Sequence, residues 1–233
     1  MDFTIDSIGS LKICQPKEGY RFSVDAILLA KFVNLKKAKK ILDIGAGTGI
    51  VGLILAKKYP TAEVKMIEIQ TELAKLAEQN IRMNEIKNKT EVICIDAKAF
   101  NETGYDIIVS NPPFRKANSG KLSPWGEKAL ARHELSLTVK DIACIAQRAL
   151  RNRGRLYVVH LPERLTEIIK ILGNHRLEVK RLRFVHSRKN TEAKMVLLEA
   201  VKEGKVSLKV ERPLFIYEED GAYTEEMEEI YKI

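Results

Sequence analysis

Asn111-Pro112-Pro113-Phe114 follows a run of strand-forming residues, Tyr105-Asp106-Ile107-Ile108-Val109-Ser110. Proline fixes φ, lacks an N–H and pushes the residue before it into an extended conformation. The pair therefore ends the strand and holds the Pro112 carbonyl without a competing local bond. The side-chain oxygen of Asn111 is a second acceptor. Two fixed acceptors match the two hydrogens of an exocyclic amine. Phe114 adds a ring on which a flat base can stack, a contact worth about 1–3 kcal/mol. Taken alone, the four residues also fit a plain Pro-Pro turn with Phe114 as core filler.

A second group of residues speaks against the plain turn. Leu42-Asp43-Ile44 reads as a strand end, and Gly45, Gly47 and Gly49 follow it before a helix. Glycine lets the backbone turn tightly and approach a ligand with no Cβ in the way. The GxGxG spacing lacks the lysine of a P-loop, and a glycine-rich turn alone fits several nucleotide-binding folds. Glu68 ends the next strand, at the place where an acid accepts hydrogen bonds from ribose hydroxyls in dinucleotide-binding sheets. Asp96 ends the strand after that. Strand-end acids can merely cap the following helix, but these acids and glycines all fall at the carboxyl ends of successive strands.

The elements that must position these residues alternate. Strands are predicted over 40–45, 62–69, 90–96, 105–110 and 154–161. Helices are predicted over 23–33, with Ser23 as N-cap, and over 49–58, 71–84 and 162–173, with a long helix within 129–151. Apolar strands alternating with helices predict an α/β fold, a doubly wound and mostly parallel sheet covered on both faces. Residues 1–22 read as short strands around a turn at Lys17–Gly19. Residues 177–187 and 193–201 read as an antiparallel hairpin, and 206–210 as a further short strand. Residues 114–128 read as a loop directly after the Asn-Pro-Pro-Phe stretch. In the tail, Thr224 reads as the N-cap of a short helix that is more a docked structural element than a site.

Composition bounds the partners. The 233 residues carry a net charge of +9, and the segment 217–233 holds seven acids against Lys232 alone, so the remaining body is at +15. Such a body suits a polyanion, although lysine-rich surfaces are also ordinary. No apolar run approaches the ~20 residues of a membrane span, and the N-terminus lacks the order of a signal peptide. Cys14, Cys94 and Cys144 are widely spaced with no CxxC pair, so neither disulfides nor a metal is expected, and a cytoplasmic setting fits.

The region from about residue 20 to residue 161 resembles the class I S-adenosylmethionine-dependent methyltransferases. That resemblance implies a Rossmann-like seven-stranded sheet with one antiparallel strand, completed by the hairpin at 177–201. It implies a single domain over 1–233: an N-terminal part (1–39) closing over the cofactor, a catalytic sheet (40–201) and a C-terminal extension (202–233). It implies S-adenosyl-L-methionine as cofactor, with Asp43 acting on its amino-acid end directly or through water, Gly45, Gly47 and Gly49 in the turn, Glu68 and Ile69 at the ribose, Asp96 and Ala97 at the adenine, and Asn111 beside the methyl. The (N/D)PP(Y/F) pattern belongs to amino-group methyltransferases, whose acceptors include adenine N6, guanine N2 and glutamine side chains. Asn111, Pro112, Pro113 and Phe114 would then hold and stack the acceptor while the methyl moves by direct in-line displacement.

Further stretches narrow the acceptor. Residues 15–30 (QPKEGYRFSVDAILLA), 131–134 (ARHE), 162–165 (PERL), 180–187 (KRLRFVHS) and 213–231 together are similar to the family that methylates adenine N6 next to the anticodon of tRNA(Val). Within it, Phe22, Ser23 and Asp25 match the segment closing over the cofactor, and Arg132 and His133 match an RNA-facing rim. Phe114 stands where tyrosine is common, and Leu161 where arginine is expected. Arg115, Lys116, Lys121 and Lys128 are candidate phosphate contacts. With Arg151–Arg155, Lys180, Arg181, Arg183, Arg188 and Lys189 they could form one basic rim for tRNA. His160 and His186 read as structural. Ribosomal RNA guanine-N2 methylation, protein glutamine methylation and a non-catalytic RNA-binding module remain as alternatives. The oligomeric state stays open, with a monomer sufficient.

Overall fold

The computed structural model describes residues 2–18, 21–114 and 137–232. Strands β1 (Phe3–Ile8) and β2 (Leu11–Pro16) form an antiparallel hairpin, followed by α1 (Val24–Phe32). Then come β3 (Lys40–Ile44), α2 (Ile50–Lys58), β4 (Glu63–Glu68), α3 (Thr71–Met83), β5 (Thr90–Cys94) and β6 (Tyr105–Ser110). After α4 (Val139–Ala149) follow β7 (Leu150–His160), α5 (Leu165–Asn174), β8 (Leu177–His186) and β9 (Ala193–Lys202). Two-residue strands β10 (Lys209–Val210) and β11 (Leu214–Phe215) and the helix α6 (Glu225–Tyr231) complete the described chain.

The main sheet runs β10-β8-β9-β7-β6-β3-β4-β5, with β11 also on β8. Only β9 runs antiparallel to its neighbours in it. The sequence implied seven strands, and the structure has nine in this sheet. The two extra ones are the short β10 and β11, which extend the edge at β8. Central strands bury both faces. Ile107 and Val109 join one core with α1, α2 and Met227, whereas Ile108 joins the other with α4 and α5. This is why they read as continuous apolar runs. Each such side chain contributes about 1.5–3 kcal/mol when buried.

Strand order reverses at β3. From there the chain runs outward through β4 and β5, then returns to the other side of β3 as β6. In such sheets ligands bind outside the carboxyl ends of the strands at this switch point. Ile44 pairs with Ser110, so Gly45 and Asn111 leave adjacent strands side by side. The Ser110 hydroxyl donates to the Ile44 carbonyl at 2.9 Å and ties the two ends together.

The N-terminal hairpin turns at Gly9-Ser10 rather than at Lys17–Gly19. Gly9 takes φ 55°, as two-residue hairpin loops require, and Ile8 pairs with Leu11. Lys17 instead returns its N–H to the Asp2 carbonyl. The edge of β2 is then closed by two asparagines of α3. The Asn80 amide accepts from the Cys14 N–H at 2.8 Å and donates to the Cys14 carbonyl at 3.0 Å. The Asn84 amide does the same for Lys12, at 2.8 and 2.7 Å. Four residues of helix rise about 6 Å and two residues of strand about 6.6 Å, so the two amides stand in register with alternate strand residues. Asn80 also donates to the Thr48 carbonyl at 2.9 Å, which joins the hairpin to the glycine turn.

Asn80 is fully buried. Asn80→Ala would orphan the Cys14 N–H and two carbonyls, so denaturant unfolding should show a loss of roughly 3 kcal/mol. Proteolysis within residues 2–18 should accelerate at the same time. Unchanged stability would contradict this account of how the hairpin is held.

Candidate active site

The crevice beyond β3 and β6 is a cavity of about 430 Å³. Ser23, Asp25, Gly45, Gly47, Glu68, Ile69 and Asn111 line it, together with Pro112, Pro113 and Phe114. Asp96 and Ala97 line a smaller space of about 40 Å³, which shares Gly45, Glu68, Ile69 and Leu137 with the larger one. Three expected residues stay off these walls. Phe22 packs its ring on the core and gives its N–H to Gln15. Gly49, at φ 86°, lies where a Cβ would sit 3.1 Å from Ala77 and from Met66, so it serves helix packing. Asp43 is 1% exposed and accepts the Gly52 N–H at 2.9 Å from behind the turn.

Residues that the sequence did not single out also face the cavity, among them Arg21, Gln70, Leu73, Ser110 and Leu137. Arg21 and Ser110 adjoin residues that were singled out. Leu137 carries no signal of its own, because its place depends on the start of α4, capped by Thr138 and Asp141.

Glu68 organises the turn. Its carboxylate accepts the Gly47 N–H at 2.8 Å and the Gln70 N–H at 2.9 Å. The Ile67 carbonyl takes the N–H groups of Gly45 and Ala46. Asp96 caps the short turn at Ala97–Ala99 through the Lys98 N–H. Capping and facing a ligand are thus compatible in both acids, since a carboxylate offers more lone pairs than these bonds use. Burial pushes the Asp43 carboxyl up to about 7, against the Gly52 hydrogen bond, with the nearby Glu68 charge adding to the rise.

Phe114 lies tilted on the His160 ring, 5.4 Å between centroids. His160 is buried and accepts the Leu161 N–H on Nδ1 at 2.7 Å. Burial, with Arg164 assisting, lowers its pKa to about 4, so the imidazole is neutral.

The described members of the expected basic rim lie on different parts of the sheet. Arg151–Arg155 opens β7, at the edge of the sheet opposite the cavity. Arg151 pairs with Asp106, and both Arg155 and Arg181 pair with Glu199. Arg183 forks onto Glu226, and Lys180 bonds Lys205 and Ser207. Arg188 and Lys189 follow the carboxyl end of β8, three strands from β6, and neither lines the cavity. Arg115, Lys116, Lys121, Lys128, Arg132 and His133 lie outside the described residues. The tail helix is docked as expected, with Met227 fully buried and Thr224 capping it.

The family model described as "Methyltransferase small domain" matches residues 23–185. The chain belongs to this family. Two curated relatives are named tRNA1(Val) (adenine(37)-N6)-methyltransferase. The one from Aeromonas hydrophila is 30% identical over 88% of this chain and 86% of its own. The one from Porphyromonas gingivalis is 32% identical over 77% and 73%. Among solved structures, a predicted O-methyltransferase from Agrobacterium tumefaciens superposes with a TM-score of 0.71 at 23% identity, covering 89% of this chain and 95% of that one. P. horikoshii TYW2 in complex with MeSAdo gives 0.61 at 16%, covering 87% and 72%. These two likenesses are of fold.

The methyltransferase takes S-adenosylmethionine as cofactor. The site's residues fit it. A Cβ built on Gly45, at φ 72°, would meet no atom within 4 Å, so the backbone there is bare toward open space. Glu68 keeps acceptor capacity for a diol at that wall. Among the described residues, no helix is long and apolar enough to cross a membrane.

The raised Asp43 pKa has a signed consequence. Its ionisation is harder in the fold than in the unfolded chain, so stability falls as pH rises from about 4 to about 7. Asp43→Asn keeps an acceptor for the Gly52 N–H. That variant should be more stable than the parent at pH 8, by up to roughly 3 kcal/mol, with the difference fading below pH 5. Thermal melts across this range check it; a pH-independent difference would refute it.

Proposed function

We propose that this methyltransferase modifies the N6 amine of an adenosine in tRNA, at position 37 of tRNA(Val). The observation that carries the reading is the placement of Asn111-Pro112-Pro113-Phe114 on the cavity that Gly45 and Glu68 also line. The names of the curated relatives and the basic body support it. S-adenosylmethionine supplies an electrophilic methyl group. Phe114, Asp25, Glu68 and the glycine turn divide the cavity between base and cofactor.

The residues of this chain account for the remainder. Adenine's amine is a poor nucleophile because its lone pair is delocalised into the ring. The Asn111 side-chain oxygen and the Pro112 carbonyl accept its two hydrogens, which favours a pyramidal nitrogen and frees the lone pair. Such placement supplies most of the catalysis. Phe114 stacks on the unstacked base, and neutral His160 supports the ring from behind. No strong base is required, because methylation makes the nitrogen acidic and its proton leaves afterwards.

Total RNA from cells lacking the protein, incubated with tritiated S-adenosylmethionine and digested to nucleosides, should place label in N6-methyladenosine from tRNA. Label in N2-methylguanosine, or in protein alone, would overturn the reading. Asn111→Ala should lower turnover by about 10²-fold or more while cofactor affinity changes little. Normal turnover in that variant would remove Asn111 from its role.

A further inference from the structure

Charges are sparse on the cavity wall. Among its described lining residues Arg21 is the one cation, and Asp25 and Glu68 are the anions. Glu68 lies on the stretch shared with the smaller space at Asp96, whereas Arg21, Asp25 and Asn111 do not. The crevice therefore has an order: Asp96 at one end, Glu68 and Gly45 between, and Arg21, Asp25 and the Asn111 loop at the other. S-adenosylmethionine has a matching order of adenine, ribose and an amino-acid end bearing one carboxylate and one ammonium.

We propose that Arg21 and Asp25 form a paired receptor for that zwitterionic end, Arg21 taking the α-carboxylate and Asp25 the α-ammonium. Asp43, expected at this end from the sequence, is buried behind the turn and lines neither space. Arg21 is aimed by the N-terminal hairpin. Its Nη1 donates to Thr4 Oγ1 and to the Pro16 carbonyl, each at 3.0 Å, and its Nη2 donates to Asp6 at 2.8 Å. The guanidinium has further N–H donors beyond these. Asp25 Oδ1 accepts the Ala26 N–H at 2.8 Å and the Ser23 hydroxyl, while Oδ2 takes no bond among the described residues. Ser23 thus orients the carboxylate instead of capping α1, and its side chain makes no cap bond. The hairpin becomes part of the binding site, holding the one cation among the described lining residues.

The inference rests on the cofactor and is independent of which nucleic acid receives the methyl. Calorimetry with three ligands tests it: S-adenosylhomocysteine, decarboxylated S-adenosylmethionine and methylthioadenosine. Arg21→Gln should weaken S-adenosylhomocysteine by about ten- to a hundredfold and leave the other two unchanged. Asp25→Asn should weaken both ligands that carry the ammonium and spare methylthioadenosine. Retained methylthioadenosine binding shows in each variant that the site is folded. Equal weakening of all three ligands would mean a structural role and overturn the proposal. Unchanged S-adenosylhomocysteine binding by Arg21→Gln would overturn it too. The ligand series contains no RNA, so its outcome is separate from that of the nucleoside assay.

Discussion

The carboxylate of Glu68 is the joint on which the site depends. A charge only 4% exposed needs hydrogen-bond partners, and it finds them in two backbone N–H groups from different elements. One belongs to Gly47, in the turn after β3; the other belongs to Gln70, at the entry to α3. The glycine turn and the helix are thereby fixed to each other. From α3, Asn80 and Asn84 reach back to grip β2, and the hairpin in turn grips Arg21. A chain of polar contacts thus runs from the cavity floor to its N-terminal wall. The second acid, Asp43, lies within the influence of the first. Their proximity and burial are relieved near neutral pH by partial protonation of Asp43 rather than by a nearby cation.

The Asn111–Phe114 loop itself brings no charge to the crevice. Ser110 pins the end of β6 to the end of β3, and the prolines carry the chain away extended. Behind Phe114 stands an imidazole kept neutral by burial. An imidazolium there would attract the ring's π-face and compete with a stacked base. Its neutrality leaves Phe114 backed by an uncharged ring.

What was legible in the sequence follows from local physics. Central strands read correctly because both faces are buried, and Gly45, Gly47, Glu68, Asn111 and the prolines come together on one cavity because they sit at strand ends. The hairpin turn did not, since Lys17–Gly19 and Gly9-Ser10 both offer glycine, and only the pairing of Ile8 with Leu11 decides between them. Asn80 and Asn84 gave no signal, because their partners lie 66 and 72 residues away. Asp43 is expected at the amino-acid end of the cofactor, directly or through water, and a strand-end acid before glycines can face either way. Its side chain turns to the Gly52 N–H, and no local pattern reports that.

The basic residues show most clearly where sequence counting fails. Glu199 is 4% exposed and is flanked by Arg155 and Arg181, and the Arg181 guanidinium lies 4.0 Å over the Phe32 ring. Removing one partner of such a group would strand a buried charge, so these arginines belong to the packing of α1 on the sheet. Arg151 and Arg183 are likewise paired, and Arg151 lies at the amino edge. The salt dependence of polyanion binding follows the number of phosphates neutralised, not net charge. Arg188 and Lys189 follow the carboxyl end of β8, three strands away from β6, and Arg188 donates to the Glu218 carbonyl. Which edge of the sheet a basic residue occupies is set by strand direction, which a tally of lysines and arginines does not contain.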